Sequence, residues 1–574
     1  MSIRERLERS LASPRAPLWA AAVALLLCLP SLPAGEFLDD HLMGAQARAG
    51  LPAWDRYRFV EAHEVAELRE QGTFGWWSAD QLHVSFFRPI SALTHALDHA
   101  LWPDAVWLMH LESALIYALL TWLVARLIQR VHGPGLVAGV AGLVFAIDES
   151  HAATAYWISG RNTLLAAAFG VLALLAHLRW RERDDASSSV RWPWVVLASA
   201  ALVASLLSAE AGLCSFGYLL GWSLCCERGR LLARVAPLAP YVAVILAWRI
   251  AYVSAGFGAS HSGIYLDIGA SPGLFAARAL LFSPSLTFTT LSLPITDVIL
   301  VRPWTSGVLA LGGVLLLWAL APTLRAHASA RAWVLGMLFA AVPFAATWPT
   351  TRLLPVISIG GAALIGLVYE AWRCGELPGR ARRATYGLML VCNLVLAPLA
   401  FVFAGLSTRL LEAPHRVLAA ELPNDLGPHL ILNSPTEITN LYTKAIRERA
   451  GQRWPLPTYL LYVGIEPLEV VRTGERTLEL TSERGWAGEQ LDHFSRDWRE
   501  GFAVGQQVRL AHAEVTVLEV TSDGRPRQVR VELDRSLDEV AIYGFGRDRE
   551  SGTTLARWRP AIGEHERFQA GILD

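Results

Sequence analysis

Apolar residues run in blocks along the first 406 positions, and then the blocks stop. Eleven of them are long enough, or nearly long enough, to cross a bilayer as helices: 16–34, 105–128, 135–148, 155–179, 192–208, 212–226, 235–253, 305–322, 331–349, 352–372 and 384–406. The third and sixth are short and read as tilted or broken spans. Another apolar stretch, Leu274 to Leu293, is interrupted by Pro284 and reads as re-entrant or interfacial. Between Ser91 and Leu101 the residues Leu93, Leu97 and Leu101 return at helical spacing, with His95, Asp98 and His99 on other faces. That pattern predicts an amphipathic helix lying in the interface. Beyond Arg409 charge is dense and the period changes. His429 to Asn433, Leu460 to Ile465, Thr477 to Thr481, Val508 to Val520 and Val529 to Leu533 read as strands, Thr436 to Arg449 as a helix, and Ser522-Asp523-Gly524-Arg525 as a turn.

The predicted fold class is therefore a polytopic α-helical membrane protein of about eleven spans with a C-terminal, strand-rich α+β domain of about 165 residues. The expected organisation is an N-terminus and signal-anchor span over 1–34 and a first extracytoplasmic loop with interfacial helices over 35–104. A multi-span domain follows over 105–408, and a soluble extracytoplasmic domain over 409–574.

Composition agrees. The 574 residues are 53% hydrophobic and include 22 tryptophans, which are expected mostly in the interfacial belts. The formal net charge of -1 leaves no basic field for nucleic acid. Six cysteines occur, none after Cys392, so the polar tail has no disulfide framework. Local charge is more informative. Arg4, Arg6, Arg9 and Arg15 precede the first apolar block, as in a secretory signal with Pro33-Ala34-Gly35 as a cleavage site. The spans that follow favour a retained anchor with the N-terminus in the cytoplasm. Arginines then recur in every second loop: Arg126 and Arg130, Arg179 to Arg183, Arg228 to Arg234, Arg325 and Arg331, Arg373 to Arg383. Cytoplasmic loops carry such an excess, so the tail is placed outside.

The outer loops then hold the candidate chemistry. The first block ends in Glu36-Phe37-Leu38-Asp39-Asp40-His41. Charge beside the hydrocarbon is costly and marks a site, although Asp39 and Asp40 also suit a helix start. One carboxylate of such a pair can raise the pKa of the other. Arg88, in Phe87-Arg88-Pro89-Ile90, Arg161 and Arg352 are permanent cations at outer span ends, suited to a phosphate or to loop and head-group anchoring. His151 and Glu210 are hydrogen-bonding groups at the same level. Glu149 is a potential partner of Arg161, and Trp157 can stack on a sugar. His95 and His99 are four apart and could share a metal, but no third ligand is evident. In the spans themselves Glu112 and Asn393 are the main polar candidates.

The order of these pieces resembles a known family. Phe37-Leu38-Asp39-Asp40-His41, Phe87-Arg88-Pro89-Ile90, Trp107 to Leu111, Ala155 to Ala167 with its Tyr156-Trp157-Ile158-Ser159-Gly160-Arg161-Asn162 core, and Leu207-Ser208-Ala209-Glu210 follow one another as in the GT-C superfamily. These are polytopic glycosyltransferases that use polyprenyl-phosphate sugars. The nearest branch is that of the transmembrane O-mannosyltransferases acting on cadherins, with their bacterial relatives. The resemblance covers about residues 30–215, fades towards 406 and is absent from the tail. Asp148-Glu149-Ser150-His151 stands where relatives show a His-Pro-x-His stretch. Ser208-Ala209-Glu210 replaces their Ser-Lys-Glu, and strands replace their helical repeats.

The resemblance implies an enzyme of the bacterial inner membrane. It would move a hexose, such as mannose, from a polyprenyl-phosphate donor to a hydroxyl of an extracytoplasmic protein, glycan or lipid. Asp39 or Asp40 would act as base. Arg161, Arg88, His151, Glu210, Trp157 and Arg352 would bind the donor's phosphate or sugar. No cofactor and no metal site is implied, while a divalent cation at the carboxylates stays open. A lipid-carrier flippase, with polar groups at mid-membrane depth, and a non-enzymatic binding or assembly protein working through its tail remain as alternatives.

Overall fold

All eleven apolar blocks are helical in the computed structural model, which describes residues 3–182, 192–292, 304–375, 379–425, 427–548 and 552–569. The principal helices before the tail are α1 (Ile3–Leu11), α2 (Ala16–Cys28), α3 (Asp39–Arg48), α4 (Pro89–Leu101), α5 (Val106–His132) and α6 (Leu136–Ile147). They continue with α7 (Arg161–Arg181), α8 (Trp192–Ser208), α9 (Cys214–Cys225), α10 (Ala239–Ser254) and α11 (Pro272–Thr289). The last are α12 (Thr305–Ala326), α13 (Ala328–Ala341), α14 (Leu354–Cys374), α15 (Arg380–Val391) and α16 (Ala397–Glu421). Among the described residues seven helices are long and apolar enough to cross a membrane, or nine if two bent pairs each count as one span. The bent pairs are α1 with α2, at 102°, and α6 with the short helix after it, at 43°. The protein is thus a polytopic α-helical membrane protein. The remaining two blocks, α8 and α9, have 17 and 12 residues and reach less far.

The helix starting at Thr351 is the axis of the bundle, with 89% of its apolar window buried. Small residues allow this: a Cβ at Gly366 would stand 2.4 Å from the carbonyl oxygen of Val137. The segments containing α10 and α12 are only 17% and 22% buried and face lipid.

Arginine ends gather on one side. Arg179 at the end of α7 pairs with Glu182 at 2.8 Å, Arg181 with Glu227 at 2.7 Å, and Arg130 at the end of α5 with Glu182 as well. On the same side Tyr369 and Arg373 of α14 reach Glu8 of α1. The opposite ends of these helices carry Asp39, Glu210 and Arg352. Helix α11 enters from that opposite side. Ser285 Oγ donates to the Ser306 carbonyl at 2.8 Å, and Phe288 lies against Gly313, so the end of α11 runs alongside and parallel to the start of α12. The start of α12 therefore lies on the side from which α11 enters, the arrangement expected of a re-entrant Leu274 stretch. Asp297 and Arg302 of this loop lie outside the described residues.

A small antiparallel sheet ties the first outer loop to the fourth: β1 (Arg58–Val60), β2 (His83–Ser85) and β3 (Gly258–Ser260). The tail has two sheets and the helix α17 (Thr439–Arg449). In the mixed sheet, β4 (His429–Ile431) lies parallel to both β5 (Thr458–Leu460) and β11 (Ala541–Asp548), with β12 (Gly552–Trp558) at the edge. The antiparallel sheet contains β6 (Leu468–Arg472), β7 (Thr477–Thr481), β8 (Gln507–Arg509), β9 (Ala513–Val520), β10 (Pro526–Leu533) and β13 (His565–Phe568), in the order β13-β6-β7-β10-β9-β8. The expected single strand over 508–520 is a hairpin, because Leu510 N–H turns back to the Ala513 carbonyl.

The tail is bolted onto the first loop. Trp76 and Trp77, of a residue type expected mostly in the interfacial belts, are buried in the tail's core, where their indole N–H groups donate to the Leu461 carbonyl and to Glu437. Gly72 has φ +77°, and a Cβ there would strike the Thr458 carbonyl. Helix α16 begins as the last span and continues, past Pro414, into the tail's base.

Candidate active site

Where the first loop, the outer helix ends and the tail meet, they enclose a cavity of about 500 Å³. Its lining is mixed: Asp39, Arg88, Asn162, Glu210, Arg249, Asp267 and Arg352 are polar, while Ile245 and Trp248 of α10, Phe275 of α11, and Val342 and Phe344 after α13 are apolar. An occupant with a charged head and a hydrocarbon tail matches such a lining.

Asp39 and Asp40 open α3 and then diverge, because successive helix residues point about 100° apart. Asp39 lines the cavity. Its Oδ1 accepts a hydrogen bond of 2.5 Å from Tyr442 of α17. Burial raises its pKa above the ordinary carboxylate value, against the opposing pull of the Tyr442 bond and of the Arg352 and Arg88 charges. Asp40 is turned away from the cavity. Its Oδ1 accepts from Ser159 N at 2.7 Å and Ser159 Oγ at 2.6 Å, and its Oδ2 from Phe37 N at 3.1 Å. These bonds tie the start of α3 to Phe37 and Ser159; the helix itself, with Leu38 as its N-cap, has no side-chain cap bond. Burial pushes its pKa up to about 7, and the next charge raising it is Glu36, not Asp39.

His41, the next residue of α3, is locked on a third side of the helix. Its Nε2 lies 2.6 Å from Glu412 of α16 and its Nδ1 3.2 Å from Glu36, which also pairs with Arg449 of α17. Burial opposes the imidazolium, but the two carboxylates outweigh it and lift the pKa to about 9.

Arg88 reaches Glu210 through Nε at 2.8 Å and a terminal nitrogen at 2.7 Å, and its guanidinium lies 4.3 Å from the Phe86 ring centre. Tyr252 O–H donates to the other oxygen of Glu210 at 3.2 Å. Arg352 lines the cavity with no hydrogen bond or ion pair to its side chain among the described residues, and its charge acts on Asp39. Trp157 lines the wall and is held by an indole bond of 3.0 Å to the Phe37 carbonyl.

Two sequence candidates lie elsewhere. Arg161 is fully buried behind the cavity, with Asp98 at 2.7 Å, Glu112 at 3.3 Å, Ser113 Oγ at 3.2 Å and the Met109 carbonyl at 2.9 Å. Its donors are directed into protein, and its carboxylate partners are Asp98 and Glu112 in place of the expected Glu149. His151 is also fully buried, between Ser358 Oγ at 2.6 Å and Tyr117 O–H at 3.0 Å. Glu112 and Asn393 are absorbed by protein as well, the second through a 2.9 Å bond to the Met389 carbonyl. His95 faces Tyr57 O–H at 3.1 Å, and no group of three metal-ligating side chains occurs among the described residues.

Sequence reasoning missed Tyr57, Tyr252, Arg249, Tyr442, Glu412 and Arg449. Arg249 lines the cavity and pairs with Asp267 at 2.9 Å. Its place at the outer end of α10 was a usable signal. Tyr442 had none, since it lies 403 residues from Asp39 in the chain.

No family model matches the chain. The Protein O-mannosyl-transferase TMTC2 of Mus musculus is 29% identical over 126 residues, which is 22% of this chain and 15% of that protein. The tmtc2 protein of Xenopus laevis is 28% identical over 199 residues, 34% of this chain and 22% of that protein. The match therefore spans less than a quarter of these curated relatives. Among solved structures, ArnT from Cupriavidus metallidurans bound to undecaprenyl phosphate gives a TM-score of 0.41 at 15% identity, covering 90% of this chain and 97% of that one. The Archaeoglobus fulgidus oligosaccharyltransferase tethered with an acceptor peptide gives 0.41 at 12%, covering 76% and 64%. The resemblance read from the motifs is thus met, over part of the chain, by similarity to O-mannosyltransferases.

Proposed function

We propose that this protein is a membrane glycosyltransferase of the GT-C type. It takes a hexose, such as mannose, from a polyprenyl-phosphate donor and moves it to a hydroxyl of a protein, glycan or lipid on the outer side. The observation that carries the reading is the cavity whose lining joins Asp39 and the cations Arg88 and Arg352 to apolar side chains of α10, α11 and the end of α13.

The chemistry follows from the groups. The acceptor hydroxyl gives its proton to Asp39 as its oxygen bonds to the anomeric carbon. The bond from that carbon to the phosphate oxygen breaks, and polyprenyl phosphate leaves with the electron pair. Arg352 and Arg88 stabilise the negative charge that appears there, which is where fixed cations accelerate such a step. Trp157 offers a face to the sugar, and burial of Asp39 keeps its pKa up, as a base needs. Asp40 and Arg161, by their saturated bonds, hold the frame. The step as written needs no metal or other cofactor. The arginine alternation supports a cytoplasmic N-terminus and an extracytoplasmic C-terminal domain, which in a bacterial inner membrane is the periplasmic side.

The test uses full-length protein in proteoliposomes with radiolabelled mannosyl-phosphoundecaprenol and cell-envelope extract as acceptor, counting label lost from the donor after chromatographic separation. Asp39→Asn is expected to lower turnover by about 10²–10⁴-fold. Equal turnover by wild type and Asp39→Asn would end the proposal.

A further inference from the structure

The C-terminal domain has no counterpart in the motif resemblance, yet it touches the base. We infer that Tyr442, carried by that domain, is a positioning residue for Asp39: it holds Oδ1 and thereby presents Oδ2 to the cavity.

The inference rests on the reading of Asp39 as base and adds a role for the tail. The geometry is specific. Tyr442 O–H lies 2.5 Å from Asp39 Oδ1, while the ring is buried and stands edge-on to His415 of α16. The helix that bears it is fixed on both flanks. Asn440 donates to the Gly72 carbonyl at 2.7 Å, and Arg449 pairs with Glu36, just before α3. The tyrosine therefore cannot turn away without undocking the tail. The groups facing Asp39 are Tyr442 from α17, Arg352 from the turn before α14, and Arg88 and Tyr57 from the first loop. The other groups near Tyr442 are Glu412, His415 and Tyr265. Burial keeps the phenol far above its ordinary pKa, so it stays a neutral donor.

A donor on Oδ1 favours the carboxylate form. Its loss makes Asp39 harder to ionise, so the acid limb of the pH–rate profile moves to higher pH. Tyr442→Phe in the full chain should shift that limb up by about one to two pH units, the size of one hydrogen bond to a charged acceptor. The deficit against wild type should shrink as pH rises. Replacing Tyr442 with 3,5-difluorotyrosine, a stronger donor of the same shape, should shift the limb the other way. This second variant decides the matter if Tyr442→Phe does not fold.

Turnover of mannosyl-phosphoundecaprenol from pH 5 to 9 is the measurement. Limbs displaced in opposite directions support the inference. Limbs that coincide with wild type, while Asp39→Asn is inactive, overturn it and leave the base intact. Wild-type turnover by Asp39→Asn overturns the underlying reading instead.

Discussion

Two arginine–carboxylate clusters occupy the outer half of this protein, and they do opposite things. In one, Arg161 meets Asp98, Glu112, Ser113 and the Met109 carbonyl and has no exposure at all. In the other, Arg352 and Arg88 stand around Asp39 at the edge of open space, with Glu210 alone as a carboxylate partner of Arg88. The residue types and the membrane side are the same. What differs is how many of the donors are already taken. A guanidinium with every donor spent is scaffold, and one with donors directed into a cavity can receive a phosphate.

Removing each cluster in turn separates these roles, and the largest effect belongs to the closed one. Arg161→Met leaves Asp98 charged and buried without its main partner, which costs about 3–5 kcal/mol. Melting in detergent should show it as a large fall in Tm. Arg161→Met with Asp98→Leu removes both charges and should recover most of the loss. If the single variant melts like wild type and loses only turnover, the two clusters have been assigned the wrong way round.

The next effect is a pH dependence beside the open cluster. His41 is held protonated by Glu36 and Glu412, with its pKa lifted from 6.5 to about 9. The folded state therefore keeps a proton that the unfolded state releases above about pH 6.5. Stability from this group is fully present below that pH and is lost as pH rises through about 9, a span worth about 3 kcal/mol. Tm measured from pH 6 to 10 should fall across that window. Glu412→Gln removes one of the two carboxylates and should narrow it, whereas an unchanged slope would mean that the clamp does not hold the proton.

Arg352→Gln comes third. It removes an unpaired cation, so Tm should move little, while kcat/KM for mannosyl-phosphoundecaprenol should fall about 10–100-fold, the value of one charge-assisted contact. The pairing of Arg161→Met with Arg352→Gln is the sharpest form of the comparison: stability lost in one, turnover in the other.

This contrast also marks how far sequence could be read. The spans and the two-sided arginine pattern come from composition and period, which act locally, and all eleven blocks are helices. Asp39, Arg88, Trp157, Glu210 and Arg352 line the cavity because each sits at an outer helix end, a position visible in the chain. Arg161 and His151 satisfy the same criterion and lie elsewhere, because Asp98, Tyr117 and Ser358 close around them. Saturation is a tertiary property and leaves no local mark. Tyr442, Glu412 and Arg449 were invisible for the same reason, as their partners lie in the first 41 residues. Trp76 and Trp77 misled because an indole suits a membrane interface and a domain interface alike.

The smallest expected effect separates the two neighbouring carboxylates. Asp40 spends three hydrogen bonds on Ser159 and Phe37, and none of its atoms lines the cavity. Asparagine at position 40 can still accept both bonds from Ser159 through its oxygen. Its amide nitrogen cannot accept from Phe37 N–H, so one bond is lost, at about 1 kcal/mol. Asp40→Asn should therefore lower Tm slightly and leave turnover within about twofold, while Asp39→Asn abolishes turnover and keeps the fold. Burial already raises the pKa of Asp40, so the neutral amide removes little that the site depends on. If Asp40→Asn is as inactive as Asp39→Asn, Asp40 takes part in the chemistry and the division between frame and site has to be redrawn through α3 itself.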